Sequence, residues 1–426
     1  MLAGEIRIYA LSIHADYACR HSGACCTSGW PIPVERRTLE RLSKRIATGR
    51  ITVPDARHEL RDGVRREKSD DFRPAPGSVM TPSDAGHAFI RVAEAPDEPP
   101  VVAAVRADGA CAFYERDSGL CAIHRQAGPS LLPVACRQFP RVSLLDARGL
   151  FVTLSHYCPT AAGLLFLDDR PLRIVEAPPA FPRDFDYDPL DARDALPPLL
   201  CRDVLLDLGT FGRWEREVVA IFARDDLTVE EALGIVASFT ETLRAWNPGA
   251  ADLGAYFEEA LENTRLESRS TQVPATFDVT QDFSPVHHYR LVLGAIPDAL
   301  RPVVALDGLE DACAAWVEPS WTAFAGPVRR YLAAKSFGSW LAYQGYGLRT
   351  IVLSLAVALS TLKVNAAIEC AKRASPLDRE TLTAAIRRTD EMLLHLASRE
   401  QLARALSGIE ARPGARVDAT LSPDVR

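Results

Sequence analysis

The chain has 426 residues, which is long enough for two or three domains. Its hydrophobic fraction of 47% and its charged fraction of 25% are those of an ordinary globular protein. The formal net charge of −7 argues against a nucleic-acid partner or an anionic membrane surface, because both attract basic proteins.

The N-terminal segment has neither the basic start nor the long apolar run of a secretory signal peptide. The most apolar stretch is IVLSLAVALSTL at 351–362, whereas a membrane-spanning helix needs about 18–20 such residues. We therefore predict that this stretch is a buried core helix. We also predict a cytoplasmic protein with no membrane partner.

The first distinctive stretch is CRHSGACCTSGW at 19–30, in which Cys25 and Cys26 are adjacent. Neighbouring side chains of an extended chain point to opposite faces, so this pair is predicted not to bind one ion together. Helical spacing of apolar residues then predicts a helix over 33–48, which ends at Gly49.

A second cysteine pair follows a region of predicted loop and strand. That region comprises a long loop at 69–100, a short strand inside it at 88–92 and a strand at 101–106. In GACAFYERDSGLCAIH, Cys111 and Cys121 lie symmetrically about Arg116 within a turn-rich centre, which predicts a β-hairpin. A hairpin centred on Arg116 would place the two sulfurs across from each other, at bridging distance for a metal.

The composition changes after Cys158. Residues 171–199 contain seven prolines and are predicted to be a linker. Thr228 and Glu231 form a capping-box pattern at the start of a helical region. The predicted helices are 229–246, 251–264, 327–344, 349–373 and 377–407. The predicted fold is α+β and mostly helical: a loop-rich cysteine domain with a β-hairpin at 1–170, the linker at 171–199, a helical domain at 200–410 and a disordered tail at 411–426.

The distribution of cysteines carries the strongest chemical signal. Seven of the ten fall in the first 158 residues, and clustered cysteines in a reducing compartment indicate metal binding or catalysis. Thiolates suit Zn²⁺ and iron–sulfur clusters, which usually take four ligands. Metal binding is the preferred interpretation; redox thiol chemistry and inert core packing are the alternatives. The predicted metal ligands are Cys19, Cys25, Cys26, Cys111, Cys121, Cys136 and Cys158.

Other cysteines and histidines receive weaker interpretations. Four histidines lie within five residues of a cysteine, and any of them could complete a second site or remain an ordinary imidazole: His14, His21, His124 and His156. Three later cysteines occur singly in helical patterns and are predicted to be core: Cys201, Cys313 and Cys370. The pair His287–His288 follows a proline and is predicted to start a helix.

Four motifs together carry a family resemblance. They are CCTSGWPIPV at 25–34, CAFYERDSGLCAIH at 111–124, ACRQFPR at 135–141 and LSHYCPTAAGLL at 154–165. This set resembles the YkgJ-type cysteine-cluster family of zinc- or iron-chelating proteins. Within that family it is most similar to the flagellin lysine N-methylase (FliB-like) branch.

The resemblance implies a protein that transfers methyl groups from S-adenosylmethionine to lysines of flagellin or a similar protein. It also implies a zinc or iron–sulfur (4Fe-4S) centre. No catalytic or S-adenosylmethionine-binding residue can be assigned. The usual nucleotide-cofactor fingerprint is missing, since DLGTFG at 207–212 has only two glycines and follows a helical pattern. A CxxxCxxC spacing is also absent.

Methyl transfer to lysine needs a neutral amine held in line with the methyl donor, and aromatic rings often shape such a pocket. Trp30 and Tyr157 adjoin the cysteines and could line it, or could simply be packed. Arg137 and Arg141 flank Cys136 and could offset the charge of a thiolate-rich centre, bind an acidic partner or form surface ion pairs.

One departure from the family pattern concerns the interval between Cys19 and Cys25. Methylase-like relatives tend to have a further cysteine there, and here His21 is the interval's only ligand-capable residue. Three functions therefore stay open. The first is a metal-containing protein-lysine methylase; the second is a non-enzymatic protein with a structural metal centre; the third is a metal-handling or redox-sensing protein that uses Cys25 and Cys26.

Overall fold

A computed structural model describes residues 6–54, 80–82, 88–92, 101–167, 170–249, 251–267 and 284–410. The predicted tail at 411–426 and most of the predicted loop at 69–100 lie outside these residues. Most of the described residues are in helices, so the prediction of a mostly helical α+β fold is confirmed.

The strands are short and belong mainly to the first half of the chain. They are β1 (Ile8–Leu11), β2 (Ile32–Pro33), β3 (Met80–Pro82), β4 (Phe89–Val92), β5 (Val101–Ala103), β6 (Tyr114–Glu115), β7 (Leu120–Cys121), β8 (Arg141–Asp146), β9 (Gly149–Leu154), β10 (Ile174–Glu176), β11 (Leu190–Asp191), β12 (Leu199–Cys201) and β13 (Val204–Leu205).

Most of the long α-helices follow residue 207. They are α1 (Arg36–Ala47), α2 (Ala122–Ala127), α3 (Val134–Gln138), α4 (Pro159–Leu164), α5 (Leu208–Phe222), α6 (Val229–Arg244), α7 (Leu253–Glu267), α8 (Pro285–Ala295), α9 (Leu309–Ala312), α10 (Glu318–Trp321), α11 (Ala325–Ser336), α12 (Leu348–Arg373), α13 (Arg379–Asp390) and α14 (Arg399–Glu410).

A five-stranded sheet with the order β10-β1-β9-β8-β11 joins the two halves of the chain. Its centre is the β8–β9 hairpin, and β1 runs parallel to β9. Both edge strands, β10 and β11, come from the segment 171–199 that we predicted as a linker. Their partners are distant in sequence, so no local pattern could have predicted these strands.

A smaller four-stranded sheet, β2-β5-β4-β3, packs with α1 around a second core. Leu42 of α1, Phe89 of β4 and Phe113 are buried there. The predicted elements at 33–48, 88–92 and 101–106 correspond to α1, β4 and β5. This second core also contains Cys111, so it fixes one arm of the cysteine motif.

The hairpin predicted around Arg116 is present as β6 and β7, but its predicted register was wrong. Tyr114 lies opposite Cys121, which centres the turn between residues 117 and 118. Cys111 lies outside the hairpin and forms an isolated bridge with Val105.

The C-terminal half is a helical bundle around α12, a helix of 26 residues. Most of its residues are buried, as we predicted for the stretch 351–362. Of the described helices it is the one long and apolar enough to cross a membrane, and 78% of its most apolar window lies inside the fold. Burial in the bundle explains its composition, because a central helix must be apolar on every side.

Helix ends agree with the sequence where capping signals are strong. Thr228 and Glu231 form the predicted capping box at the start of α6. The predicted helix at 327–344 instead ends at Ser336 and is followed by a 3₁₀ turn, Trp340–Tyr343. The predicted helix at 377–407 is divided into α13 and α14 by a π turn, Glu391–Leu396.

The main core is continuous between the large sheet and the bundle. Leu11 and Phe151 from the sheet belong to the same buried cluster as Trp214 of α5 and Leu355 of α12. The cysteine-bearing half and the helical half are therefore held together by apolar packing, and this packing positions the site described below.

Candidate metal centre

Cys25 and Cys26 lie in a tight turn that Gly23 closes. The backbone amides of Cys26 and Thr27 both donate to the carbonyl of Gly23, at 2.9 and 3.1 Å. Gly23 has a φ of +72°, and a Cβ built there would lie 2.8 Å from the ring of Tyr114. Glycine is required because the turn packs directly against the β6–β7 hairpin.

This turn corrects the prediction that Cys25 and Cys26 face apart. Their sulfurs are 3.9 Å apart, because the backbone is turned here and not extended. Tetrahedral zinc at about 2.3 Å from each sulfur separates its ligands by about 3.8 Å. The adjacent pair therefore has the separation that two ligands of one ion would have.

Three further cysteines surround this pair. The amide of Cys111 donates to the carbonyl of Cys26 at 2.7 Å, which ties the two chain segments together. The sulfur of Cys26 lies 3.9 Å from that of Cys25, and its interaction with the thiol of Cys121 raises the pKa of Cys26. Cys136 on α3 is close enough for the charges of Cys111, Cys121 and Cys25 to raise its pKa. We call these residues the five-cysteine cluster: Cys25, Cys26, Cys111, Cys121 and Cys136.

The electrostatics of the five-cysteine cluster divide its thiols into two groups. The contacts among these three thiols lower the pKa of Cys25 and of Cys121 and raise the pKa of Cys26. Burial raises the pKa of Cys111 to about 12 and holds that of Cys136 well above its ordinary value. Packed thiols of this kind hold their protons until a cation replaces them, so metal binding here would release protons.

The other two predicted ligands lie elsewhere. Cys19 is exposed, and its sulfur accepts a hydrogen bond of 3.4 Å from the amide of His21. Cys158 is buried, with its sulfur 3.9 Å from the hydroxyl of Tyr17. Among the described residues, neither is hydrogen-bonded to a member of the five-cysteine cluster. The structure thus brings together five of the seven.

Two of the candidate histidines approach the cluster and two do not. The rings of His21 and His124 are 5.3 Å apart, and the amide of His124 is hydrogen-bonded to the sulfur of Cys121. His14 and His156 are fully buried, with their Nε2 atoms 3.2 Å from each other. They form part of a separate network that includes Asp390.

An aromatic cluster adjoins the cysteine turn. Trp30 stacks on His395 with centroids 4.2 Å apart and lies 4.5 Å from Tyr157. Phe139 packs against the edge of this group. Burial raises the pKa of Tyr157 to about 12, and the charge of Cys25 contributes, so the two clusters are neighbours. We call Trp30, Phe139, Tyr157 and His395 the aromatic cluster.

His395 is the member of this site that the sequence did not reveal. Its Nε2 atom is 2.7 Å from the Oγ of Ser155, a residue 240 positions away in the chain. It lies in the π turn that interrupts the predicted helix, and such turns occur often at functional sites. The sequence offers only a weak signal for His395, because a single histidine in a helical pattern has no partner nearby in the sequence.

The residues fit a thiophilic metal by donor chemistry, although the side chains are not arranged around one. As they stand, no three cysteine, histidine or acidic side chains in the described part of the chain have the geometry to hold a metal ion. The five-cysteine cluster nevertheless supplies more than the four thiolates that zinc or an iron–sulfur cluster needs. Cys313 and Cys370 are buried in the bundle core, as predicted. The same prediction was wrong for Cys201, which ends strand β12 and is only half-buried.

No protein-family model, curated protein or solved structure matched this chain.

Proposed function

We propose that this chain is a cysteine-ligated metal protein whose five-cysteine cluster binds zinc or an iron–sulfur cluster. The observation that carries the proposal is the convergence of five thiols from separate chain segments: the turn at Cys25 and Cys26, then Cys111, Cys121 and Cys136. Inert core packing does not require sulfur at any of these five positions, whereas thiolate ligation requires sulfur at four of them. A reducing, cytoplasmic location would keep these thiols available.

Within this proposal, Cys26 is the central ligand because its sulfur contacts those of Cys25 and Cys121. Four of the five thiols complete one site, and His21 and His124 lie next to it. The bound metal would link the turn, the hairpin and α3, so it would stabilise the loop-rich half of the fold. The resemblance to zinc- or iron-chelating cysteine-cluster proteins supports the same conclusion.

Metal and sulfide analysis of anaerobically purified protein tests the proposal. We expect either stoichiometric zinc or iron with acid-labile sulfide and absorbance near 400 nm. Cys26→Ser, Cys111→Ser, Cys121→Ser or Cys136→Ser should each lower metal content and thermal stability together, because ligation and folding are coupled. The matched controls are Cys313→Ser and Cys370→Ser. A wild-type protein without metal and with freely titrating thiols would refute the proposal.

A second candidate function is methylation of protein lysines with S-adenosylmethionine. The aromatic cluster beside Cys25 favours it, because aromatic rings can hold a lysine side chain by stem packing and cation–π attraction. The resemblance to flagellin lysine N-methylases suggests methyl transfer to lysine as the reaction, and flagellin or a similar protein as the partner. S-adenosylmethionine would supply the methyl group; no residue is assigned to bind it.

The balanced reaction is a single displacement at the methyl carbon. The deprotonated lysine nitrogen forms a bond to that carbon while the bond from carbon to the sulfonium sulfur breaks, and a proton passes to solvent. The protein must exclude water from the amine and hold it in line with the methyl carbon and the sulfonium sulfur. The half-buried rings of Trp30, Tyr157 and His395 are suited to this role.

Methyl transfer to co-expressed flagellin, measured by mass, tests this second function. Lysines that stay unmodified while the metal site is fully loaded would contradict it and leave a non-enzymatic structural or redox-sensing centre. A redox-sensing role would instead appear as reversible loss of metal when the Cys25 and Cys26 thiols are oxidised.

A further inference from the structure

Ser155 and His395 form a polar pair inside the aromatic cluster. Ser155 Oγ lies 2.7 Å from His395 Nε2 and also accepts the backbone amide of Tyr157 at 3.4 Å. Ser155 is only 1% exposed, so its hydroxyl is closed to external reactants. Its geometry suits it for orienting the histidine ring and not for attack on a substrate.

The other ring nitrogen of His395 remains available. No described residue is hydrogen-bonded to Nδ1, and the His395 side chain is only partly buried, so Nδ1 is open to a ligand. Burial lowers the pKa of His395 to about 4, against the opposing charge of Asp390, so the imidazole is neutral at neutral pH. When Nε2–H donates to Ser155, Nδ1 carries the lone pair and is an acceptor.

A second unpaired polar atom lies in the same cluster. The indole Nε1 of Trp30 is buried without a hydrogen-bond partner, although buried donors of this kind normally have one. Trp30 stacks directly on His395. The unpaired acceptor of His395 beside these rings is suited to a side chain with an apolar stem and a hydrogen-bond donor at its tip.

We propose that His395 accepts a hydrogen bond from the amine of the substrate lysine and that Ser155 positions its ring for this contact. This inference rests on the lysine-methylation function proposed above. The lysine stem lies against Trp30 and Tyr157, and one N–H of its terminal nitrogen donates to Nδ1. That contact directs the nitrogen lone pair to the methyl carbon, while the proton that the ammonium loses goes to solvent.

Steady-state methylation of a lysine-containing flagellin peptide by His395→Phe and His395→Gln tests the assignment. A hydrogen bond between neutral groups contributes about 0.5–1.5 kcal/mol, so His395→Phe should raise KM roughly twofold to tenfold. His395→Gln keeps an acceptor and should recover part of this loss. Ser155→Ala should raise KM by a smaller factor. Thermal stability and metal content, measured alongside, identify a folding defect.

The matched control is His288→Gln, because His288 Nδ1 also pairs with a serine, Ser360 Oγ at 2.8 Å, within the bundle. It should leave KM unchanged. An unchanged KM in a folded His395→Phe variant would overturn the assignment.

A binding measurement separates this assignment from the methylation function. Without S-adenosylmethionine, the wild type should bind the lysine peptide more tightly than the same peptide with norleucine, and His395→Phe should lose that preference. If the wild type transfers no methyl group, methylation is refuted, and the lysine preference still decides the role of His395. Equal binding of the lysine and norleucine peptides by the wild type would overturn the proposed role of His395.

Discussion

At the scale of single residues, the separation of two sulfurs depends on one glycine. Gly23 accepts the amides of Cys26 and Thr27, and its left-handed φ turns the chain so that Cys25 and Cys26 face the same side. The sequence shows the adjacent cysteines but not this turn. In an extended chain the two side chains would point to opposite faces. In the turn they face the same side and can bind one ion together.

Gly23→Ala should therefore lower both stability and metal content. A left-handed φ costs a non-glycine residue about 1–2 kcal/mol, and the added Cβ would also lie 2.8 Å from the Tyr114 ring. Gly49→Ala is the matched control, because Gly49 has a φ of +67° with nothing within 4 Å of its added Cβ. Thermal unfolding and metal analysis of both variants measure the difference. Equal effects on metal content would show that the close packing on Tyr114 is unimportant.

At the scale of elements, a buried polar network fastens α11 and α13 to the large sheet. Asp390 at the end of α13 forms an ion pair with Lys335 of α11 at 2.6 Å and accepts the amide of His156 at 2.5 Å. Tyr331 donates to the same carboxylate at 2.8 Å. His156 in turn contacts His14, which follows β1. Burial opposes ionisation of Asp390, but Lys335 and His156 outweigh it and lower its pKa.

This network makes the stability of the fold dependent on pH. Burial lowers the pKa of His14 and of His156 below the ordinary value of 6.5, so the unfolded chain takes up protons that the folded chain does not. The free energy of unfolding should consequently fall as the pH drops from 7 to 5. Each proton of difference contributes about 1.4 kcal/mol per pH unit.

His14→Gln should make this pH dependence shallower, although it also lowers stability by leaving His156 without its partner. The control is His21→Asn, which replaces an exposed histidine whose φ of +53° asparagine tolerates. Denaturant unfolding at pH 5, 6 and 7 gives the slopes. If the slope of His14→Gln equals that of the wild type, His14 is not one of the groups responsible.

The helices and strands show what local sequence can and cannot predict. Helices with a strong capping signal or a continuous apolar pattern, such as α6 and α12, were predicted almost to the residue. The edge strands β10 and β11 were missed, because two- and three-residue strands are stabilised only by their distant partners. The cysteines were visible as a cluster, whereas the Ser155–His395 pair joins residues 240 positions apart and leaves no local signal.

At the scale of the whole molecule, one arginine joins the sheet to the bundle. Arg148, in the β8–β9 turn, donates to both carboxylate oxygens of Asp146 and to Glu215 of α5 at 3.2 Å. Its guanidinium lies 4.3 Å from the ring centre of Phe151 and 4.7 Å from that of Phe211. Both carboxylates are almost completely buried, and Arg148 is the cation that compensates them.

Arg148→Met should destabilise the fold by about 3–5 kcal/mol, because it leaves buried carboxylates without their cation. Burial already raises the pKa of Glu215 despite Arg148, so this carboxylate would take up a proton once the arginine is gone. Adding Glu215→Gln removes one uncompensated charge, and the double variant should be more stable than the sum of the two single losses indicates. Denaturant unfolding of the four proteins in this cycle measures the coupling between Arg148 and Glu215. Additive losses would mean that the arginine acts through its packing between Phe151 and Phe211 and not through its ion pair with Glu215.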